Sequence, residues 1–210
     1  MRWLALLVYL TLLCGCLSKQ ENVQPAEVKP IVYFSEDFSS GDLTGWDVES
    51  AGGGSIRVLD RENFRVYKAV EMRSQGLRSA YASAPKFDMD YTKDYSVSFK
   101  FMVPHRENYG YTVYRDRNID IGLEWASGFV CVVNGRRELL GRIEPNTWGD
   151  IAINVRPHYG EYDVMIDGEW KKTCNIKENR VETFMFGDTD PMDGVYGDGL
   201  WDEFRITDRL

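Results

Sequence analysis

Two carboxylates, Asp120 and Glu124, stand four residues apart in the stretch Asp120-Ile-Gly-Leu-Glu124. A pair of carboxyl groups can cleave a glycosidic bond with retention when the groups lie about 5–5.5 Å apart, one serving as acid and the other as nucleophile. Strand positions i and i+4 begin about 13 Å apart at Cα. Asp120 also reaches less far than a Glu would. The spacing therefore argues against hydrolysis by this pair.

The same carboxylates are better suited to binding a sugar. They lie on the polar face of an alternating stretch whose apolar face consists of Ile119, Ile121, Leu123 and Trp125. Where such a polar face lines a concave sheet, Asp120 and Glu124 would form a groove floor with Thr112 and Tyr114. Carboxylates accept hydrogen bonds from sugar hydroxyls, while a flat aromatic ring covers the apolar face of the sugar. The alternative is a solvated strand face that binds nothing.

Strands must position these groups, because apolar residues recur with a period of two. In 95–103 every second residue is apolar, which is typical of an antiparallel strand with one buried face. The pattern returns at 151–155, 162–166 and 204–206. No window predicts a long amphipathic helix. The sequence therefore predicts an all-β fold of short strands, a β-sandwich or a barrel.

Turn residues separate the predicted strands. Asn134-Gly135 lies between the apolar stretches 129–133 and 137–140. A type I′ turn needs positive φ at both central positions, which Asn and Gly tolerate. We therefore expect a tight hairpin there.

Five segments share the strand-and-turn outline of a known superfamily. They are Phe34-Ser-Glu-Asp-Phe38, Gly41-Asp-Leu-Thr-Gly-Trp46, Asn146–Val155, Tyr162–Gly168 and Gly199–Ile206. In this order they resemble the concanavalin A-like lectin/glucanase superfamily, and more narrowly its laminin-G-like jelly-roll modules. The resemblance covers nearly all of 31–210. It implies a two-sheet antiparallel β-sandwich whose core includes Trp46, Trp148 and Trp201.

Members of this superfamily that hydrolyse glucans carry three carboxylates at alternate positions, Glu-x-Asp-x-Glu. This chain has Asp120, Gly122 and Glu124 at the similar place. The resemblance with a broken triad implies a non-catalytic, lectin-like module that binds a polysaccharide or glycan. Two alternatives stay open. One is a divergent glycoside hydrolase or polysaccharide lyase that uses Asp120 and Glu124, and the other is a structural or protein-adhesion domain with a protein partner.

The resemblance also implies a structural Ca²⁺. Many jelly rolls of this superfamily bind the ion where the first and last strands meet, with a carboxylate from the last strand and backbone carbonyls from the first. Here those groups would be Asp202 and the region of Glu36 and Asp37. Ca²⁺ prefers such oxygen ligands. The alternative is that Asp202 is an ordinary surface residue.

Cys131 and Cys174 both lie in strand-like stretches. An exported chain favours oxidation, so a disulfide between them is one expectation. Two buried free thiols are the other, because the sequence does not give the Cα separation that a disulfide requires. His105 and His158 have no partner at a metal-ligand spacing.

The first sixteen residues predict export. The apolar stretch Trp3–Leu13 follows Arg2 and is shorter than the roughly 20 residues that span a bilayer. Leu13-Cys-Gly-Cys16 resembles a lipoprotein signal box, which implies a signal peptide at 1–15, lipidation of Cys16, and a cell-surface or envelope location. An ordinary cleaved signal and a secreted protein are the alternative.

Composition and charge predict the domain boundary and exclude some classes of partner. Residues 16–30 are polar and contain two prolines, which predicts a flexible tether before one domain at 31–210. The net charge is −8, with no basic run. Nucleic acid is therefore excluded as a partner, and contact with a membrane is expected only through the lipid anchor.

Overall fold

The computed structural model describes residues 29–60, 68–73, 79–104, 112–124, 128–133, 135–188 and 198–209. Residues 1–28 lie outside this part, so the signal peptide and the lipidation of Cys16 stay predictions. No helix among the described residues has the length and apolarity needed to cross a membrane.

The described residues are nearly all β, as the sequence predicts. Their strands are β1 (Val32–Glu36), β2 (Asp47–Ala51), β3 (Ser55–Asp60), β4 (Lys68–Arg73), β5 (Ser79–Ser83), β6 (Tyr95–Met102), β7 (Thr112–Arg115), β8 (Asp120–Glu124), β9 (Gly128–Val133), β10 (Arg136–Arg142), β11 (Trp148–Arg156), β12 (Glu161–Ile166), β13 (Glu169–Asn175), β14 (Met185–Asp188) and β15 (Gly199–Asp208). One 3₁₀ helix, Pro157–Tyr159, joins β11 to β12.

The strands form two antiparallel sheets packed face to face, which makes the fold a β-sandwich. Sheet A has the order β13-β12-β11-β6-β15-β4-β3, with β1 also pairing with β15. Sheet B has the order β10-β9-β8-β7-β14-β5-β2. First and last strands are therefore neighbours, as the resemblance implies.

Local sequence explains the tight connections. β9 and β10 pair from Val133 opposite Arg136, so the predicted hairpin is confirmed, while Asn134 of its turn lies outside the described residues. The loop between β12 and β13 is Asp167-Gly168, with φ of 54° and 75°. Both central residues thus have the positive φ that a type I′ turn requires.

Aromatic side chains fill the space between the sheets. Phe99, Tyr114 and Phe184 stack in a column with ring centroids 5.5 and 5.4 Å apart. Trp46 and Trp201 are buried in the same core, as predicted. Trp148 differs, because it is only partly buried and packs against Met102 and Leu200 in a separate cluster.

A disulfide joins the two sheets at one side of the sandwich. Cys131 of β9 and Cys174 of β13 are bonded, with their Cα atoms 6.3 Å apart. Both residues are buried. Of the two possibilities that the sequence leaves open, the structure has the bond. It links β13, an edge strand of sheet A, to β9, which lies next to the edge strand β10 of sheet B.

Candidate functional site

A row of side chains crosses the outer face of sheet B. It consists of Asp47, Ser83, Met185, Arg115 and Asp120, which are cross-strand neighbours on β2, β5, β14, β7 and β8. Their sequence neighbours point into the core, since successive strand residues face opposite sides. Those buried neighbours include Ala82, Phe186, Tyr114 and Ile121. With neighbouring strands about 4.8 Å apart, the row is about 19 Å long.

Asp120 lies in this row between two cations. Arg115 Nη2 donates to both of its carboxylate oxygens, at 3.2 and 3.3 Å. Lys177 Nζ donates to Oδ2 at 2.7 Å. The Asp120 side chain is 13% exposed, whereas that of Lys177 is 52% exposed. The carboxylate predicted to contact a sugar is therefore the counter-ion of two more exposed cationic groups.

An open groove of about 430 Å³ lies at the β2 side of the same face. Ser83 and Met185 of the row line it, and so do Arg180 and Glu182 from the segment that follows β13. Lys86 also lines the groove and pairs with Glu182 at 2.5 Å. The groove thus presents carboxylate, guanidinium and hydroxyl groups together.

Tyr81 supplies an aromatic ring to this groove. Its hydroxyl hydrogen-bonds to Glu49, and this bond, with partial burial and the nearby negative charge, raises the pKa of Tyr81 to about 12. The hydroxyl is therefore protonated at neutral pH and orients the ring beside Glu49. A ring of this kind can cover the apolar face of a sugar.

Tyr114 does not contribute to the groove floor, and its prediction as a ligand-binding residue is wrong. The ring is fully buried in the core. The reason is a β-bulge, because Thr112 lies opposite Gly122 but Tyr114 lies opposite Ile121. The extra residue, Val113, reverses the alternation along β7. Tyr114 therefore faces inward with Ile121.

Thr112 and Glu124, the other two residues predicted to bind a ligand on this face, are not seen to line it. Thr112 lies opposite Gly122 and is only 4% exposed. Glu124 is the last residue of β8, opposite Gly128, and its side chain lies outside the described part of the chain. Of the four predicted ligand-binding residues, Asp120 is the one that the structure places in the row.

The residues predicted to hold calcium meet where β1 joins β15. Glu36 lies opposite Phe204, and Asp202 is 2% exposed. Burial, together with the charges of Glu203 and Asp37, raises the pKa of Asp202 to about 7. Among the described residues, no group of three or more His, Cys, Asp and Glu side chains is placed to hold a metal ion. The expected ligand set, with one buried carboxylate and first-strand carbonyls, does not need such a group.

Asp116 fixes the turn that sets Arg115 and Asp120 side by side. Its Oδ1 accepts hydrogen bonds from the backbone N–H groups of Asn118 and Ile119, each at 2.8 Å. Its Oδ2 accepts from the hydroxyls of Tyr95 at 2.9 Å and Tyr114 at 3.2 Å. Burial raises the pKa of Asp116 to about 6, and the four donors oppose that rise.

Sequence reasoning missed the cations and the groove. The charged run Arg115-Asp-Arg-Asn-Ile-Asp120 could have indicated a polar turn beside Asp120. Lys177 is 57 residues from Asp120, so no local pattern connects them. The groove depends on the register of β2, β5 and β14, which alternation alone does not give.

No protein-family model matches the chain, and no curated protein matches its sequence. Solved structures do match its fold. An endo-β-1,4-glucuronan lyase from the fungus Trichoderma reesei superposes with a TM-score of 0.59 and 13% identity, over 85% of this chain and 96% of that one. Cellulose induced protein Cip1 gives a TM-score of 0.59 and 11% identity, over 82% and 96% of the two chains.

A third match is domain 4 of AbnA, a GH43 extracellular arabinanase from Geobacillus stearothermophilus, solved in complex with arabinotriose. It superposes with a TM-score of 0.55 and 18% identity, over 86% of this chain and 94% of that one. At such identities the likeness concerns the fold alone. The two-sheet jelly-roll sandwich expected from the sequence is thereby confirmed.

Proposed function

We propose that this domain binds carbohydrate on the outer face of sheet B and does not cleave it. The observation that carries the proposal is the open groove of about 430 Å³, which combines the Tyr81 ring with carboxylates and a guanidinium. Sugar sites need these groups, because hydroxyls form hydrogen bonds while the ring face packs on an aromatic. The fold is also that of domains solved with saccharides or named for acting on them.

The absence of catalysis is supported by the surroundings of Asp120. A general acid or nucleophile must reach the reacting bond. Both oxygens of Asp120 instead accept hydrogen bonds from Arg115 and Lys177. Incubation of the protein with each bound polysaccharide should release neither reducing ends nor unsaturated products. Turnover of any of them would overturn this part of the proposal.

Replacing Tyr81 with Ala should weaken glycan binding by up to about tenfold, because an aromatic contact contributes about 0.5–1.5 kcal/mol beyond its buried area. The matched control is Tyr159→Ala, which removes an exposed ring at the 3₁₀ helix, away from the groove. Affinity electrophoresis over a panel of neutral and acidic polysaccharides measures both variants. Equal retention of the two variants would contradict the assignment of the groove, and no retention of the wild type by any polysaccharide would contradict the function.

We also propose that Ca²⁺ binds where β1 meets β15, through Asp202 and oxygen atoms near Glu36 and Asp37. A buried carboxylate with a second carboxylate nearby fits a hard divalent cation. Ca²⁺ at 100 times its Kd should stabilise the fold by about 2.7 kcal/mol and raise Tm by several degrees relative to chelator. Asp202→Asn should remove this difference, whereas Asp208→Asn at the far end of β15 should keep it. Identical melting of the wild type in Ca²⁺ and in chelator would contradict the site.

A further inference from the structure

The outer face of sheet B carries cations that the acidic composition of the chain does not lead one to expect. The protein has a net charge of −8, yet Arg115 and Lys177 share Asp120 as their counter-ion. One negative charge between two positive charges leaves this part of the row with a net positive charge. Such a local reversal of sign attracts anionic groups.

Arg180 extends this positive region into the groove. It lines the groove together with Met185, and Met185 is the cross-strand neighbour of Arg115. Arg180 is exposed, and it forms no ion pair or hydrogen bond within the described residues. Three cationic side chains thus lie along the half of the row that runs from Met185 to Asp120.

The segment that carries Lys177 and Arg180 is fixed to the turn after β7. The backbone N–H of Lys177 donates to the Asn118 carbonyl at 3.2 Å. The side-chain amide of Asn179 donates to the carbonyls of Asp116 and Ile119, at 2.8 and 2.9 Å. Because these bonds tie the segment to sheet B, the backbone that carries the two cations is held in place before a ligand arrives. Preorganisation of this kind lowers the entropy cost of binding.

The opposite end of the row is acidic. Asp47 and Glu49 of β2 line the groove with Tyr81. Carboxylates at this end can accept hydrogen bonds from sugar hydroxyls, and cations at the other end can pair with an anionic substituent. The row is therefore polarised along its length, which suits a ligand with hydroxyls and an acidic group on one chain.

We propose that the ligand is an acidic saccharide, whose carboxylate or sulfate is bound by Arg115, Lys177 and Arg180. This inference rests on the proposed function and specifies its substrate class. Asp120 is a positioning residue in this arrangement, because it holds Arg115 and Lys177 next to each other. A planar guanidinium binds a carboxylate through two parallel hydrogen bonds, so Arg115 and Arg180 suit such a group.

The test compares polymers that differ only in charge. Polygalacturonate should bind at least about tenfold more tightly than its methyl ester at low ionic strength, and the difference should shrink as NaCl screens the charges. Dextran sulfate against dextran forms the second pair. A preference in the first pair identifies the carboxylate as the recognised group, and one in the second pair alone identifies the sulfate.

Lys177→Met and Arg180→Met should each weaken binding of the charged polymer about five- to tenfold and leave binding of the neutral polymer unchanged. The matched control is Lys171→Met on sheet A, since Lys171 is also an ion-paired surface lysine. Equal affinity within both polymer pairs would overturn the inference, and so would an equal loss in Lys171→Met. If a neutral glycan still binds in a Tyr81-dependent way, the proposed function stands. If no saccharide binds, both fail.

Discussion

Replacing Cys131 and Cys174 with Ala should lower the free energy of unfolding by about 4 kcal/mol, because the bond closes a long loop in the unfolded chain. The two residues are separated by 43 positions. The bond also joins β9 to β13, and those strands belong to different sheets. Its removal therefore also takes away a covalent link between the two sheets at that side of the sandwich. Urea unfolding of the wild type and the double variant measures the difference.

Reduction provides the control for this prediction. Dithiothreitol present during unfolding should bring the wild type close to the double variant and leave that variant unchanged. Groove binding should persist in the double variant under native conditions, because the bond lies on the β9–β13 side and the groove lies on the β2 side. Stabilities within about 0.5 kcal/mol of each other, the usual range for an unimportant surface change, would contradict the prediction.

Asp116→Ala should destabilise the fold by about 3–5 kcal/mol, because it removes the acceptor of four hydrogen bonds at a buried site. Two of these donors are the backbone N–H groups of Asn118 and Ile119, which would lose their acceptor. Glycan binding should weaken as well, since this turn sets Arg115 opposite Asp120. Asp116→Asn keeps an oxygen for the two N–H groups and should retain most of the stability.

The same site has a pH dependence with a definite sign. The pKa of Asp116 is raised from 3.8 to about 6 in the folded protein, so the folded state binds this proton more tightly than the unfolded state does. The contribution of this proton to the free energy of unfolding is fully present below pH 4. It is lost as the pH rises to 6, at up to about 1.4 kcal/mol per pH unit. The free energies of unfolding of the wild type and of Asp116→Asn, plotted against pH, should therefore diverge across this range and run parallel above it. Parallel curves from pH 4 to pH 7 would contradict the shift.

Short-range pattern was sufficient to predict the strands. In β6 the alternation seen in the sequence is the alternation of burial in the structure, because a sheet with one face in the core selects apolar residues at every second position. The hairpin at Asn134-Gly135 was predictable for a related reason, since few residues adopt positive φ. Both features depend only on residues that are adjacent in the sequence, and they can therefore be predicted from it.

The candidate site depended on contacts that no local pattern encodes. A single extra residue, Val113, turned Tyr114 from the expected outer face into the core. Lys177 reaches Asp120 from a distant segment and changes that carboxylate from a ligand-binding candidate into a counter-ion.

Pleated strands with one apolar face and tight turns between them are predictable from the residues alone, because those properties follow from side-chain chemistry at adjacent positions. Only the folded chain shows which strands pair, in which register, and which charges therefore meet across sheet B. Register is a collective property, since a shift of one residue exchanges the two faces of a strand at little local cost. The arrangement of Arg115, Asp120 and Lys177 could thus be recognised only once the strands were assembled.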